Sequence, residues 1–250
     1  MTTRRASWMI GTMFSCLLLT LGLSQNSEVI TNSQHRTFAE DLSSYGIDLS
    51  RQSLVAALSN KDPKVRSLAA NQLVQDGDQD AIPSIEAALA IEKDPHARMG
   101  IAAALSAVPD SKGVESLQAM CNDTTLPFRM QLAAVQTLQI AHSPSGVCAD
   151  AMLGSLNRAE DAGYRDVILT VLPAMYIELP RDQSGRIVSL VEELLRDRAP
   201  QSSVRIAASS ALAQIGSASS VEVIRAAIVR EQDPVVRSSL EGDLVALEKK

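Results

Sequence analysis

The sequence predicts an all-α fold, a right-handed α-solenoid of about six helical hairpins stacked in a row. Three observations carry that expectation. Composition is 46% hydrophobic, much of it Ala and Leu, with 3% aromatic and no run of alternating apolar residues that would suit a half-buried strand. A helix-start phrase, Asp62-Pro63-Lys64-Val65-Arg66 with Leu73 following, returns at Asp94-Pro95…Arg98…Leu105 and at Asp233-Pro234…Arg237…Leu244. The repeat leucines Leu73, Leu105, Leu138, Leu172, Leu212 and Leu244 are spaced by 32, 33, 34, 40 and 32 residues. A single amphipathic helix pair cannot bury its own apolar face, so a near-constant step implies units that lean on each other.

Taken in order, the chain opens on a segment with targeting character. Arg4 and Arg5 precede Trp8–Leu23, which carries no charge, and Gly22 and Ser24 suit cleavage before Gln25. Residues 1–24 therefore read as a signal peptide, with an uncleaved signal anchor as the alternative, and the protein as exported, periplasmic or secreted. Their removal would take two arginines and no acid from a chain of formal net charge −6. That balance argues against a nucleic-acid partner, and membrane contact would come only through an uncleaved N-terminus. Residues 25–50 form a polar extension with one short helix expected over Thr37–Ser44; residues 51–250 form the repeat domain.

Within each repeat the helix-B start has a physical logic. Asp62 suits the N-cap, where its carboxylate accepts a backbone N–H and meets the positive end of the helix dipole. Pro63 falls at the first helical position, which loses nothing by lacking an N–H. Arg66, four residues on, is placed to pair back with Asp62. The first pair joins Leu54–Leu58 to the Asp62 helix, and the second joins Ile85 and Leu89 to Arg98–Leu105. In the third, Leu126-Pro127 replaces Asp-Pro. Gln131 rather than Arg129 keeps the seven-residue step to a leucine, so the Arg–Asp pair is expected to be missing there. The fourth runs to Arg165 and Leu172, where Pro173 should kink or stop the helix. The fifth carries Arg205 and Leu212 ahead of Gly216, and the sixth closes at Arg237 and Leu244.

Asp-Pro-x-Val/Ala-Arg followed by small residues and Leu resembles the short HEAT-like repeats of bacteria first named from phycobilin lyases. Val204-Arg205-Ile206-Ala207-Ala208…Leu212 is a fourth match without Asp-Pro, and the resemblance covers about residues 50–250. It implies a superhelix of HEAT-like or armadillo type. It also implies that the turn Asp and helix-B Arg tie the stack, and that the exposed face of helix B receives protein partners.

Catalytic chemistry is hard to find. No nucleophile elbow, dinucleotide fingerprint or phosphate-binding loop occurs. His35, His96 and His142 lie in no His-Glu dipeptide and at no helical metal-ligand spacing, unlike the di-iron hydroxylases built from such repeats. Asp76, Asp78 and Asp80 open like a calcium loop, but Ala81 and Ala87 stand where Gly and Glu are needed; Asp80 is expected to cap the next helix instead. Recurrence in every unit marks Asp62/Arg66, Asp94/Arg98 and Asp233/Arg237 as structural, since catalysis needs one privileged site. Cys121 and Cys148 are expected as free thiols, because parallel helices would hold them roughly 10 Å or more apart along the axis.

No catalytic residue, cofactor or metal is therefore expected. What remains is a surface. The first and fifth positions after each motif residue, Ser67 and Asn71, Met99 and Ala103, Leu132 and Gln136, Asp166 and Thr170, Ile206 and Ser210, Ser238 and Gly242, should face away from the core. Such a stripe suits another protein or peptide, or else it completes packing between repeats. The reading is a non-enzymatic interaction scaffold, against an enzyme or enzyme subunit of the phycobilin lyase type.

Overall fold

The computed structural model describes residues 37–156, 158, 163–197 and 199–249. The targeting segment and the first part of the polar extension lie outside the described residues. Among the described residues no helix is long and apolar enough to cross a membrane.

Every regular element among the described residues is helical. A short α1 (Phe38–Ser44) precedes six A/B pairs: α2 (Arg51–Ala57) and α3 (Pro63–Gln75), α4 (Ile82–Ile91) and α5 (Pro95–Ser106), α6 (Gly113–Asn122) and α7 (Phe128–Ile140), α8 (Ala149–Leu156) and α9 (Arg165–Glu178), α10 (Arg181–Arg196) and α11 (Ser202–Ile215), α12 (Ser220–Arg230) and α13 (Pro234–Glu248). Each helix packs on its pair partner, and consecutive units pack on each other, α3 on α5, α5 on α6, α9 on α11, α10 on α12 and α11 on α13, which is the contact pattern of an α-solenoid. α1 is tied by a Thr37/Glu40 capping box and sinks Leu42 into the same core against α3, so packed chain extends upstream of residue 51.

The Asp-Pro starts cap as their chemistry dictates. Asp62 Oδ1 accepts from Lys64 N (2.9 Å), Asp94 Oδ1 from His96 N and Ala97 N (3.0 and 2.9 Å), and Asp233 Oδ1 from Val235 N (2.9 Å). Leu73, Leu105, Leu138, Leu172 and Leu212 are all buried to within 1%. Each such leucine contributes roughly 1.5–3 kcal/mol of transfer free energy, which is why their spacing sets the step of the stack. Gly216 ends α11 at φ 79°, a left-handed cap that suits a residue without Cβ.

Several expectations need correction. Leu244 is only half-buried, and Leu240 and Leu247 are the leucines α13 buries. Asp78, not Asp80, caps the turn after α3, through Ala81 N (3.2 Å), while Asp80 stays exposed. Pro173 does not stop helix B, since α9 runs through it to Glu178. Arg165 is the first residue of α9 rather than its fourth, and its buried Nε has no hydrogen-bond partner.

The cysteines are the largest departure. Cys121 and Cys148 form a buried disulfide with Cα atoms 5.7 Å apart. The free-thiol expectation placed both residues in side-by-side helices. Cys148 instead ends a 3-10 turn, Gly146–Cys148, that precedes α8 and lies over the end of α6. Gln118 Nε2 donates to Pro144 O (2.9 Å) and Asn122 Nδ2 to Val147 O (3.2 Å), drawing the turn back to Cys121.

Candidate functional site

The recurring charged residues meet, but not with the partners their spacing suggests. Arg66 does not pair back to Asp62. Its guanidinium grips Glu92 of the next repeat in two-pronged fashion, Nε to Oε2 at 2.6 Å and Nη2 to Oε1 at 2.7 Å. Nη1 donates to the loop carbonyls of Asn60 (2.7 Å) and Lys61 (3.2 Å). Arg205 repeats the arrangement with Glu231, at 2.7 and 3.2 Å, and with the carbonyls of Ala199 and Pro200. Both glutamate side chains are 3% exposed. Each also accepts the N–H of the capping aspartate two residues on, Asp94 or Asp233. One carboxylate thus joins a turn to the preceding repeat's arginine.

Electrostatics follow from that geometry. The Arg66 hydrogen bond holds the Glu92 carboxyl below its ordinary value against the opposing effect of burial, and Glu92 in turn raises Arg66. At Glu231 burial is the largest influence and would raise the carboxyl; Arg205 and the N–H groups of Asp233 and Gln232 outweigh it and leave it lowered. Planar Arg–carboxylate pairing of this kind fixes orientation as well as charge.

Other units use weaker versions. Gln131 Nε2 donates to Asp123 O (3.0 Å) and Leu126 O (3.1 Å), taking the loop-carbonyl role of Arg66 without its charge. Arg237 reaches back to Glu231 O through Nε (3.1 Å) and Nη2. Thr125 hydrogen bonds chiefly hold Asp123 below its ordinary value, with Arg98 adding only charge. Glu92 and Glu231 were absent from the sequence expectation. Their signal is present: Asn60, Glu92 and Glu231 each stand two residues ahead of an Asp-Pro.

The helix-B stripe is mostly occupied by packing. Leu132 is 4% exposed, and Ser67, Asn71, Met99, Ala103, Ile206 and Ser210 are half-buried. Asn71 Nδ2 donates to Gly100 O on the neighbouring helix (3.2 Å), and Ser210 Oγ donates to Asp243 Oδ2 (3.1 Å). A Cβ on Gly100 would stand 2.0 Å from Ser67 Oγ, so α3 and α5 approach as closely as their small residues allow. Asp166 is half-buried as well, and Gln136, Thr170, Ser238 and Gly242 are exposed. The stripe thus packs repeats together over most of its length and is open to solvent at four positions.

An open concavity lies elsewhere. Pro144, Val147, Leu153, Leu179 and Pro180 line a groove of about 370 Å³ beside the Gly146–Cys148 turn. Val147 is 57% exposed there. Glu178 closes one side, its Oε2 accepting the N–H groups of Ser145 (2.6 Å) and Gly146. Arg186 and Asp150 pair across the rim at 2.9 Å. Apolar walls with a polar rim have the make-up of a surface that meets another macromolecule.

Comparison with known proteins agrees with the architecture. A HEAT-repeat family profile matches residues 51–139, and a PBS lyase HEAT-like repeat profile matches residues 204–230. The chain carries HEAT-like repeats. No curated protein sequence matches it significantly. Among solved structures, human deoxyhypusine hydroxylase in complex with glycerol aligns over 80% of this chain and 84% of that one. The two are 18% identical at a TM-score of 0.35, which carries no argument about activity. In HEAT-like terms, the Arg–Glu pairs are ties between consecutive repeats.

Proposed function

We propose that this HEAT-like repeat protein is a non-enzymatic scaffold that holds another protein or peptide at the groove between the Gly146–Cys148 turn and the start of α10. One observation carries the reading. Arg66 and Arg205 are consumed in tying repeats and Asp62, Asp94 and Asp233 in capping helices, while Val147, Leu153, Leu179 and Pro180 leave an apolar concavity open to solvent. The partner surface therefore shifts from the helix-B stripe to this groove. Export is part of the proposal, supported by the Arg4/Arg5-led apolar N-terminus and by a disulfide of the sort that persists in oxidising compartments.

Co-purification from the native envelope fraction tests the scaffold. Wild type and Val245→Asp, which alters an exposed residue of α13 away from the groove, should retain a stoichiometric protein partner. Val147→Asp should lose it. Equal retention by all three would remove the groove from consideration. A visible chromophore, a stoichiometric metal or substrate turnover in the purified protein would instead favour the enzyme or lyase-type reading. N-terminal sequencing of the mature chain should begin at Gln25, and persistence of residues 1–24 would make the protein a membrane-tethered one.

A further inference from the structure

Junctions between repeats are held in different ways. Buried Arg–Glu pairs join the first repeat to the second and the fifth to the sixth. In the helix-B layer α3 lies close against α5, and α11 lies close against both α9 and α13, whereas α7 meets α5 and α9 only sparsely. The residue at the arginine position of α7 is Gln131, whose amide serves its own loop. At this thinly packed centre stands the disulfide. Cys121 belongs to helix A of the third repeat, and Cys148 to the turn that starts the fourth. The same turn touches both α6 and α9, so it bridges the junction by itself. Its other moorings are neutral hydrogen bonds from Gln118 and Asn122, and the Glu178 carboxylate on Ser145 and Gly146.

We propose that Cys121–Cys148 is a reducible clamp on the central junction of the stack, standing where a charged tie is missing. The step is a two-electron exchange with a small dithiol. The reductant's two thiols become a cyclic disulfide, and Cys121 and Cys148 each gain a hydrogen as free thiols. The bond joins residues 27 apart in sequence and its covalent loop encloses α7 whole, so opening it restores freedom to that segment first. Reduction then loosens α6, α7 and the Gly146–Cys148 turn, and with the turn one wall of the groove, while both ends of the stack keep their own ties. The clamp stands on the junction alone and holds whether or not a partner occupies the groove.

Hydrogen–deuterium exchange of the full-length protein, oxidised and after dithiothreitol treatment, reads this directly. Amides of α6, α7 and residues 146–148 should exchange at least about tenfold faster once reduced, with α2–α5 and α11–α13 unchanged. The double variant Cys121→Ala/Cys148→Ala should match the reduced protein and no longer respond to dithiothreitol. An increase spread evenly over all helices, or no increase at the junction, would overturn the proposal. So would a double variant that fails to fold, because the bond would then support the whole stack rather than one junction.

Discussion

Replacing Glu231 with Ala removes more than one contact. Arg205 loses both prongs at 2.7 and 3.2 Å, and the N–H groups of Gln232 and Asp233 lose an acceptor at 3.0 Å each. Arg205 itself is 8% exposed, so its charge stays in a poorly hydrated place. Breaking a buried pair from one side costs about 3–5 kcal/mol. The carbonyls of Ala199 and Pro200 still accept from Nη1, which puts the expected loss near the low end, about 3 kcal/mol. The apolar double replacement Arg205→Met/Glu231→Leu should recover most of that loss, because neither charge then remains to be desolvated. Urea unfolding followed by circular dichroism, arranged as a double-mutant cycle with Arg205→Met, measures both numbers. The exposed triad of Arg225 with Glu222 and Glu248 serves as control, and Arg225→Ala should leave the midpoint unmoved. A loss below about 1 kcal/mol for Glu231→Ala, or a double variant as weak as the single, would refute the claim that this carboxylate ties the fifth repeat to the sixth.

Three further outcomes follow from burial, space and charge. Leu105→Ala should cost about 2–5 kcal/mol in urea unfolding and Leu244→Ala distinctly less, since the first is fully buried and the second only half; equal losses would contradict the assignment. Gly113→Ala should destabilise by at least about 1 kcal/mol, because its Cβ would fall 2.4 Å from the backbone N of Ser106; Gly242→Ala, with nothing within 4 Å, should gain up to about 1 kcal/mol in thermal unfolding. The lowered Glu92 and Glu231 carboxyls contribute stability that is complete above the ordinary glutamate range and is lost as pH falls through their depressed folded values. The urea midpoint should thus drop between about pH 5 and pH 3, less steeply in Glu92→Gln, and an identical drop in that variant would count against the pair.

Periodic features were legible in the sequence because each repeat writes them again. The Asp-Pro caps and Leu73, Leu105 and Leu212 depend on local backbone chemistry and on one face of one helix, so spacing alone locates them. Gln131 was legible for the same reason, its step to Leu138 revealing the register that Arg129 would have broken. Pairing between units was not. Four-residue spacing favours Asp62 for Arg66, yet Glu92, 26 residues away, wins through a planar two-pronged fit in a site where its carboxylate also serves a turn. The disulfide was hidden because helix rise predicts where a cysteine sits along an axis, but not that Gly146–Cys148 folds back over α6. The helix-B stripe was only partly legible for a related reason. A position turned away from its own helix's core faces the next repeat in a stack, so Leu132 is buried and Asn71 bonds to Gly100 O.

The central claim is that repeats are held by their immediate neighbours, with the buried carboxylates as ties. Hydrogen exchange measured helix by helix in Glu231→Ala tests it most directly. Protection should fall in α11, α12 and α13 and stay at the wild-type level in α2–α5, as a nearest-neighbour stack requires. An equal loss of protection in every helix would mean a single shared core, and the account would be wrong.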